Sequence, residues 1–332
     1  MTALKKDMKI IFFGTGDLGV PTLNRLIDLG LEPLLVITAP DKPAGRGLKL
    51  SHSPIKEVAL HARLQIYQPE KVNDPEVVDK LRQYHADIGI IIAYGQKIGS
   101  VLINVFPLGI INLHASLLPK YRGAAPINWA IINGEQETGL TVMQINEQID
   151  AGQILNQVSM PIDPMIRADE LYTQLAQLGP DLMVNTLEQI QHGTISPMKQ
   201  DPQKVTKAPK LSKSLAIIDW TLPAGMIADF IRGLWPWPAA TSHYLSASGK
   251  SIPVAFAQSQ PLRENPPAHV EPGTILDDFT LATGAGKLKI LEIKPAGSKL
   301  MTWQDFINGR RVKPGDKFVS LEKNIHEKSI CR

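Results

Sequence analysis

Asn112 and His114 stand two residues apart at the end of the apolar run Gly109-Ile110-Ile111-Asn112-Leu113-His114. Alternate residues of a strand project to the same side, so the two side chains share one face. An asparagine there can donate an N–H to a developing oxyanion, and a histidine exchanges a proton near neutral pH. The pair suits a reaction in which a carbonyl oxygen gains charge. A strand-end Asn or His is more often an ordinary turn residue, and residue type alone leaves that alternative open. A second motif competes for attention. Gly14-Thr15-Gly16-Asp17-Leu18-Gly19 fits the dinucleotide pattern G-x-G-x-x-G, with Asp41 further along. However, the segment Ala39-Pro40-Asp41-Lys42-Pro43-Ala44-Gly45-Arg46-Gly47 reads as a long loop that carries Asp41 past the strand end, where a ribose-binding acid belongs. The glycines are expected to serve a tight turn and close packing, with or without an anion at the following helix. Nicotinamide chemistry is the weaker alternative.

These residues need a scaffold, and the first 115 residues supply the pattern of one. Short, nearly continuous apolar runs at Lys9–Phe13, Leu34–Thr38, Ile88–Ala93 and Gly109–Leu113 alternate with helical segments. That is the texture of βαβ units whose parallel strands are covered on both faces. Ser53-Pro54 and Asp74-Pro75 each predict a helix start, with a capping residue followed by proline in the first turn. The expected fold is an open, doubly wound, mostly parallel α/β sheet of Rossmann-like type. In such sheets, ligands bind outside the carboxyl ends of the strands, which is where Asn112 and His114 fall.

Gln191-His192-Gly193 closes a helical stretch, and a Lys-, Pro- and Gln-rich segment follows. Residues 1–203 are therefore read as the chemical domain, linker-like from 191, with 204–212 as linker and 213–332 as a second domain. In the latter, Trp220–Arg232 reads as a short helix. The brief alternating runs Thr241–Leu245, Ile252–Phe256 and Lys287–Ile293, closely punctuated by Gly and Pro, predict a small, OB-like β-barrel.

Composition places limits on function. With 43% hydrophobic and 20% charged residues, the 332-residue chain is ordinary for a soluble two-domain protein, and no run approaches a membrane span. The start has no secretory pattern, so a cytoplasmic setting is expected. Cys331 is the sole cysteine, which rules out an intrachain disulfide or a cysteine-based zinc site. The net charge of +3 is unevenly spread: residues 204–332 hold 18 Lys and Arg against 11 Asp and Glu, so the first 203 residues are net acidic. A basic second domain fits nucleic-acid contact, and equally a solvated surface.

The segment Asn112-Leu113-His114-Ala115-Ser116-Leu117-Leu118-Pro119-Lys120-Tyr121-Arg122-Gly123 resembles the signature of the folate-dependent formyltransferases. The later Gln148-Ile149-Asp150-Ala151-Gly152-Gln153-Ile154-Leu155 is similar to the family's second catalytic segment. The resemblance implies a catalytic trio of Asn112, His114 and Asp150, although Asp150 by itself would be read as a turn acid. It also implies that Ser116, Leu117, Leu118, Pro119 and Tyr94 hold the folate, with 10-formyltetrahydrofolate as formyl donor and neither metal nor nicotinamide required. Within the family, the likeness runs along nearly the whole chain to members whose acceptor is methionyl initiator tRNA. The Pro-Ala-Gly-Arg-Gly loop resembles an insertion these members direct at the tRNA acceptor end, which implies tRNA contact by Arg46. Lys210-Leu211-Ser212-Lys213, Ile218-Asp219-Trp220 and Trp235-Pro236-Trp237-Pro238 resemble stretches of their second domain. This sequence departs from the family at Gly16, where proline is more usual, and at Glu147-Gln148-Ile149, which replaces a glycine-containing stretch. Formyl transfer to a small amine, such as an amino-sugar nucleotide, and non-catalytic RNA binding are the remaining alternatives.

Overall fold

The computed structural model describes residues 8–44, 49–247 and 249–320. The chain forms two compact units. One comprises residues up to Gly123 with Thr138–Met160 and Tyr172–Lys207, and the other comprises Ala124–Glu137, Pro161–Leu171 and everything from Ala208 onward.

Through residue 208 the elements run β1 (Ile10–Gly14), α1 (Val20–Asp28), β2 (Leu35–Ile37), β3 (Lys42–Ala44), β4 (Lys49–Ser51), α2 (Pro54–His61), β5 (Ile66–Tyr67), α3 (Pro75–Arg82), β6 (Ile88–Ile92), α4 (Ser100–Ile103) and β7 (Ile110–His114). They continue with β8 (Arg122–Gly123), α5 (Pro126–Ile132), β9 (Glu137–Gln144), β10 (Ile154–Pro161), α6 (Ala168–Gln191) and β11 (Lys207–Ala208). Seven strands make one sheet in the order β10-β9-β7-β6-β1-β2-β5. From β5 to β7 all pairings are parallel, whereas β9 joins β7 antiparallel. Every residue of β1, β2, β6 and β7 is buried, as their continuous apolar runs require for a sheet covered on both faces.

The expected helix starts are present. The Ser53 hydroxyl accepts the Lys56 N–H at 3.1 Å with Pro54 opening α2, and α3 opens at Pro75 after an extended Asp74. The glycine motif is accounted for by packing. A Cβ on Gly14 would meet the Phe12 ring at 2.7 Å and the Ile92 carbonyl at 3.1 Å. Asp41 is committed elsewhere: its carboxylate takes the Lys56 ammonium at 2.5 Å and the Gln68 amide at 2.9 Å. Those two bonds hold it well below the usual carboxylate range, at about 2. The segment read as a long loop starts as a ribbon, with β3 and β4 paired antiparallel from Lys42↔Ser51 to Ala44↔Lys49. Two-residue alternation is too short there to be recognised in the sequence. Inside the stretch read as linker, β11 pairs with β8.

Helix α6 fixes which face of β7 is free. A Cβ on Gly179 would lie 2.9 Å from a Leu113 methyl, so the missing side chain lets α6 settle onto the Leu113 face. Asn112 and His114 consequently project from the opposite face.

The second unit contains α5, α7 (Ala224–Leu234), β12 (Ala240–Leu245), β13 (Ser251–Leu262), β14 (Leu281–Ala282), β15 (Lys287–Pro295), β16 (Met301–Thr302), α8 (Trp303–Arg310) and β17 (Lys317–Val319). Its antiparallel sheet runs β14-β15-β13-β12-β17. Residues 273–275 close it into a small barrel. Gly273 N–H donates to Ala282 O at 2.8 Å on one side, while Gly273 O accepts from Phe318 N–H at 2.8 Å on the other. Trp220, Tyr244, Phe256, Phe306 and Phe318 fill the interior with rings largely edge-on to one another, the arrangement their quadrupoles favour.

Buried Asp316 ties this core to its loops by accepting the Tyr244 hydroxyl at 2.6 Å, Lys313 N–H at 2.9 Å and Ala247 N–H at 2.8 Å. Burial alone would raise its pKa, but the three donors outweigh burial and lower it. A carboxyl with a depressed folded pKa stabilises the fold above its unfolded pKa of about 3.9, and that contribution is lost as pH falls through the folded value. Asp316→Asn should therefore cost about 2 kcal/mol at pH 7, with the difference from wild type shrinking below about pH 3.9. Denaturant unfolding at both ends of that range checks this.

Candidate active site

The site is assembled on β7. Asn112 pairs in register with Ile91 of β6 and Met143 of β9, and His114 pairs with Thr141. Both side chains are buried, at 9% and 6% exposure, at the sheet edge where the parallel and antiparallel halves meet. The Asn112 side-chain amide makes no hydrogen bond among the described residues, so its two donors are free for a ligand.

His114 is held by backbone. Its Nε2 lies 3.0 Å from the Tyr121 carbonyl. A carbonyl only accepts, so Nε2 carries a hydrogen and Nδ1 is the nitrogen left to exchange protons. Nδ1 faces Asp150 Oδ2 at 3.8 Å. That separation is too long for a formed hydrogen bond, and side-chain exposures of 7% and 15% leave little water between the two groups.

Asp150 reaches this position by an indirect route. Strand β9 leaves its partner at Gln144, opposite Ile111 and at the far end of β7 from His114. The chain must double back along the sheet face, and two features accomplish this. Asp150 itself adopts a left-handed backbone with φ +52°, and Gly152 presses so close to Gln144 that a Cβ would sit 1.7 Å from its carbonyl oxygen. The carboxylate is then caught by Gly123 N–H, which donates to Oδ2 at 2.8 Å. Tyr121, at φ +61°, and Gly123, at φ +130°, are also left-handed, so three sparsely populated conformations cluster around one imidazole.

The Ser116–Pro119 segment is pinned by two residues with no signal in the sequence reading. The Thr141 hydroxyl donates to Ser116 O at 2.6 Å and accepts Leu118 N–H at 3.1 Å. The Gln157 amide donates to Leu118 O at 2.9 Å and to Thr141 Oγ1 at 2.8 Å. Ser116 is occupied by its own turn, donating to Lys120 O at 2.7 Å. Leu118 is buried against Met143 and Ile154, while Leu117 and Pro119 are half-buried. These two hubs sit on β9 and β10, outside the apolar runs read from the sequence, and single polar residues carry no periodicity of their own.

Tyr94 follows the end of β6. Its ring is buried edge-on to Phe13, its hydroxyl has no partner among the described residues, and burial pushes that hydroxyl above the ordinary tyrosine range. What it offers the site is backbone: its carbonyl accepts the Thr15 hydroxyl at 3.0 Å, between left-handed Ala93 and Gly95. Arg46 lies outside the described residues. No group of three metal-ligating side chains occurs among the described residues.

Comparison with known proteins adds independent findings. Residues 8–187 match the formyl transferase family and residues 210–311 match the formyl transferase C-terminal domain. The methionyl-tRNA formyltransferase of Solibacter usitatus is 43% identical over 315 residues, spanning 93% of this chain and 98% of that protein. The methionyl-tRNA formyltransferase of Caldanaerobacter subterraneus is 40% identical over 312 residues, spanning 93% and 99% respectively. Among solved structures, a sugar 3N-formyl transferase crystallised with dTDP and 5-N-formyl-THF shares the fold at 18% identity and a TM-score of 0.64, over 88% of this chain and 99% of that one.

The tight approach of Gly152 to Gln144 generates a structural test. Gly152→Ala must displace the loop, and Asp150 should then release Gly123 N–H. A bond from an amide to a carboxylate is worth about 2 kcal/mol, so hydrogen exchange at Gly123 should accelerate by roughly tenfold or more. An unchanged exchange rate would mean that the loop absorbs the methyl without moving Asp150.

Proposed function

The chain belongs to the formyl transferase family, and we propose that it moves the formyl group of 10-formyltetrahydrofolate onto the α-amino group of methionyl initiator tRNA. One observation carries the chemical reading: an unengaged asparagine amide, an imidazole with a fixed tautomer and a carboxylate converge on one sheet face. Formyl transfer to an amine breaks the bond from the formyl carbon to N10 and forms a new one to the α-nitrogen. It needs a neutral amine, donors for the carbonyl oxygen and a proton for the departing N10.

A free α-amino group has a pKa of about 7.7 to 8.0 and is largely protonated at neutral pH, so a proton must leave it. Asp150 accepts that proton, directly or through water, and a proton returned from the site to N10 as its bond to the formyl carbon breaks completes the balance. Asn112 donates to the formyl oxygen as it becomes an oxyanion, and protonated His114 adds its Nδ1–H. Because Nδ1 and Asp150 stand 3.8 Å apart, that hydrogen is not consumed by the carboxylate. A positioned donor of this kind is worth roughly 10²- to 10³-fold in rate. Ser116, Leu117, Leu118 and Pro119 line the folate side, held in shape by Thr141 and Gln157.

The division of labour follows charge. The acidic first part holds the folate and the chemistry, and the basic barrel with Arg46 engages the RNA. We assign Arg46 to the acceptor end of the tRNA. No helix among the described residues is long and apolar enough to cross a membrane. The substrates of this reaction belong to translation initiation, which supports a cytoplasmic setting as part of the proposed reading.

The direct test is formylation of methionyl-tRNA by the purified protein with 10-formyltetrahydrofolate, beside uncharged tRNA and an amino-sugar nucleotide. Asn112→Ala, His114→Ala and Asp150→Ala are each expected to lower kcat by about 10²- to 10⁴-fold with tRNA affinity retained. Near-normal turnover in His114→Ala would sink the assignment, and preference for the amino sugar would move the acceptor to a small amine.

Salt gives a second expectation. Each phosphate neutralised by the protein adds roughly 0.7 to 0.9 to the logarithmic salt slope of RNA binding. KM for tRNA should climb steeply between low and physiological salt while KM for the folate barely moves. Arg46→Ala should impair productive engagement of the aminoacylated end more than it flattens that slope, and steady-state kinetics over a salt series reads both.

A further inference from the structure

We propose that Gln200 is a positioning residue that acts through Asp150 and is itself held by Arg122. The proposal rests on the reading of Asp150 as the proton acceptor. The Gln200 side chain uses its whole hydrogen-bonding capacity at one point. Its Oε1 accepts Arg122 Nε–H at 2.9 Å and Nη2–H at 2.7 Å. Its Nε2 donates to the carbonyls of Asp150 at 2.9 Å and Gly152 at 2.8 Å. The amide orientation follows from chemistry, since a guanidinium only donates and a carbonyl only accepts.

This bracket opposes a specific cost. A non-glycine residue in the left-handed region is strained by roughly 1–2 kcal/mol, and Asp150 stands at φ +52°. Gln200 grips the peptide on both sides of Ala151, while Gly123 N–H grips the carboxylate. The two grips originate from adjacent residues, Arg122 and Gly123, which belong to the same segment as the Tyr121 carbonyl that orients His114. Acid and base are therefore held in one frame. Gln200 is anchored in turn, because Met198 and Ile154 exchange backbone hydrogen bonds at 2.8 Å in each direction.

The test uses Gln200→Ala and Gln200→Met, the latter filling similar space without hydrogen bonds, in wild-type and Asp150→Asn backgrounds. Single-turnover formylation of methionyl-tRNA, the KM values and the melting temperature are measured. A displacement of about 1 Å in a reacting group can cost on the order of 10²-fold. Gln200→Ala and Gln200→Met should each lower kcat by roughly 10- to 100-fold, leave both KM values within about threefold, and shift the melting temperature by under about 3 °C. In the Asp150→Asn background, either change should cost under about threefold more, because the residue through which Gln200 acts is already disabled. Normal kcat in both Gln200 variants, or a full additional loss in the Asp150→Asn background, would overturn the proposal. Wild-type turnover in Asp150→Asn alone would instead overturn the catalytic reading of Asp150, so the two failures are distinguishable.

Discussion

The antiparallel pairing of β9 with β7 is the constraint around which the site is organised. Parallel strands place their ligand-facing ends together, and β1, β2, β6 and β7 do so. Strand β9 runs the other way, so the chain that must deliver a carboxylate to His114 departs opposite Ile111. The doubling-back segment, the left-handed Asp150, the missing side chain at Gly152 and the catching amide of Gly123 all answer that one problem. The same pairing puts Thr141 beside His114, where its hydroxyl anchors the Ser116–Leu118 backbone.

The barrel solves a different problem with few residues. Short strands expose unpaired edges, and the turn at Gly273–Ile275 joins β14 to β17 so that neither described edge is left open between them. Gly273 stands at φ +85° with the Phe318 carbonyl 2.3 Å from where a Cβ would be, so only the absence of a side chain permits that closure. An interior of five large rings leaves little room for rearrangement. A basic exterior on a stiff barrel suits a partner recognised by charge, since phosphate contacts reward preorganised cations.

Much of this architecture was legible in the sequence. Strands β1, β2, β6 and β7 fall within a residue or so of their apolar runs, because burial on both faces demands unbroken hydrophobicity, and proline after Ser53 and Asp74 marked two helix starts. The shared face of Asn112 and His114 was legible from their spacing at a strand end, whereas a catalytic role for them was implied only by the family likeness. Asp150 was not legible in that way: an aspartate two residues before a glycine has the composition of any turn, and its role depends on a return path that no local pattern encodes. Thr141, Gln157 and Gln200 were hidden for the same reason. Each acts through hydrogen bonds to backbone atoms distant in sequence, and such partnerships leave no periodic trace. Motif likeness marked Tyr94 as part of the folate side, and the packing of its ring on Phe13 with its carbonyl accepting the Thr15 hydroxyl was equally without local signal.

The bond from His114 to the Tyr121 carbonyl has a consequence for how freely this sequence can vary. A histidine oriented by a carboxylate loses its tautomer when that side chain mutates. Here the acceptor is a main-chain oxygen, and no substitution at position 121 can delete it. Replacement is limited instead by whether the newcomer tolerates φ +61°, a conformation that β-branched residues resist. The protonation pattern of the imidazole is thus written in the path of the chain and insulated from the alphabet of side chains that mutation explores.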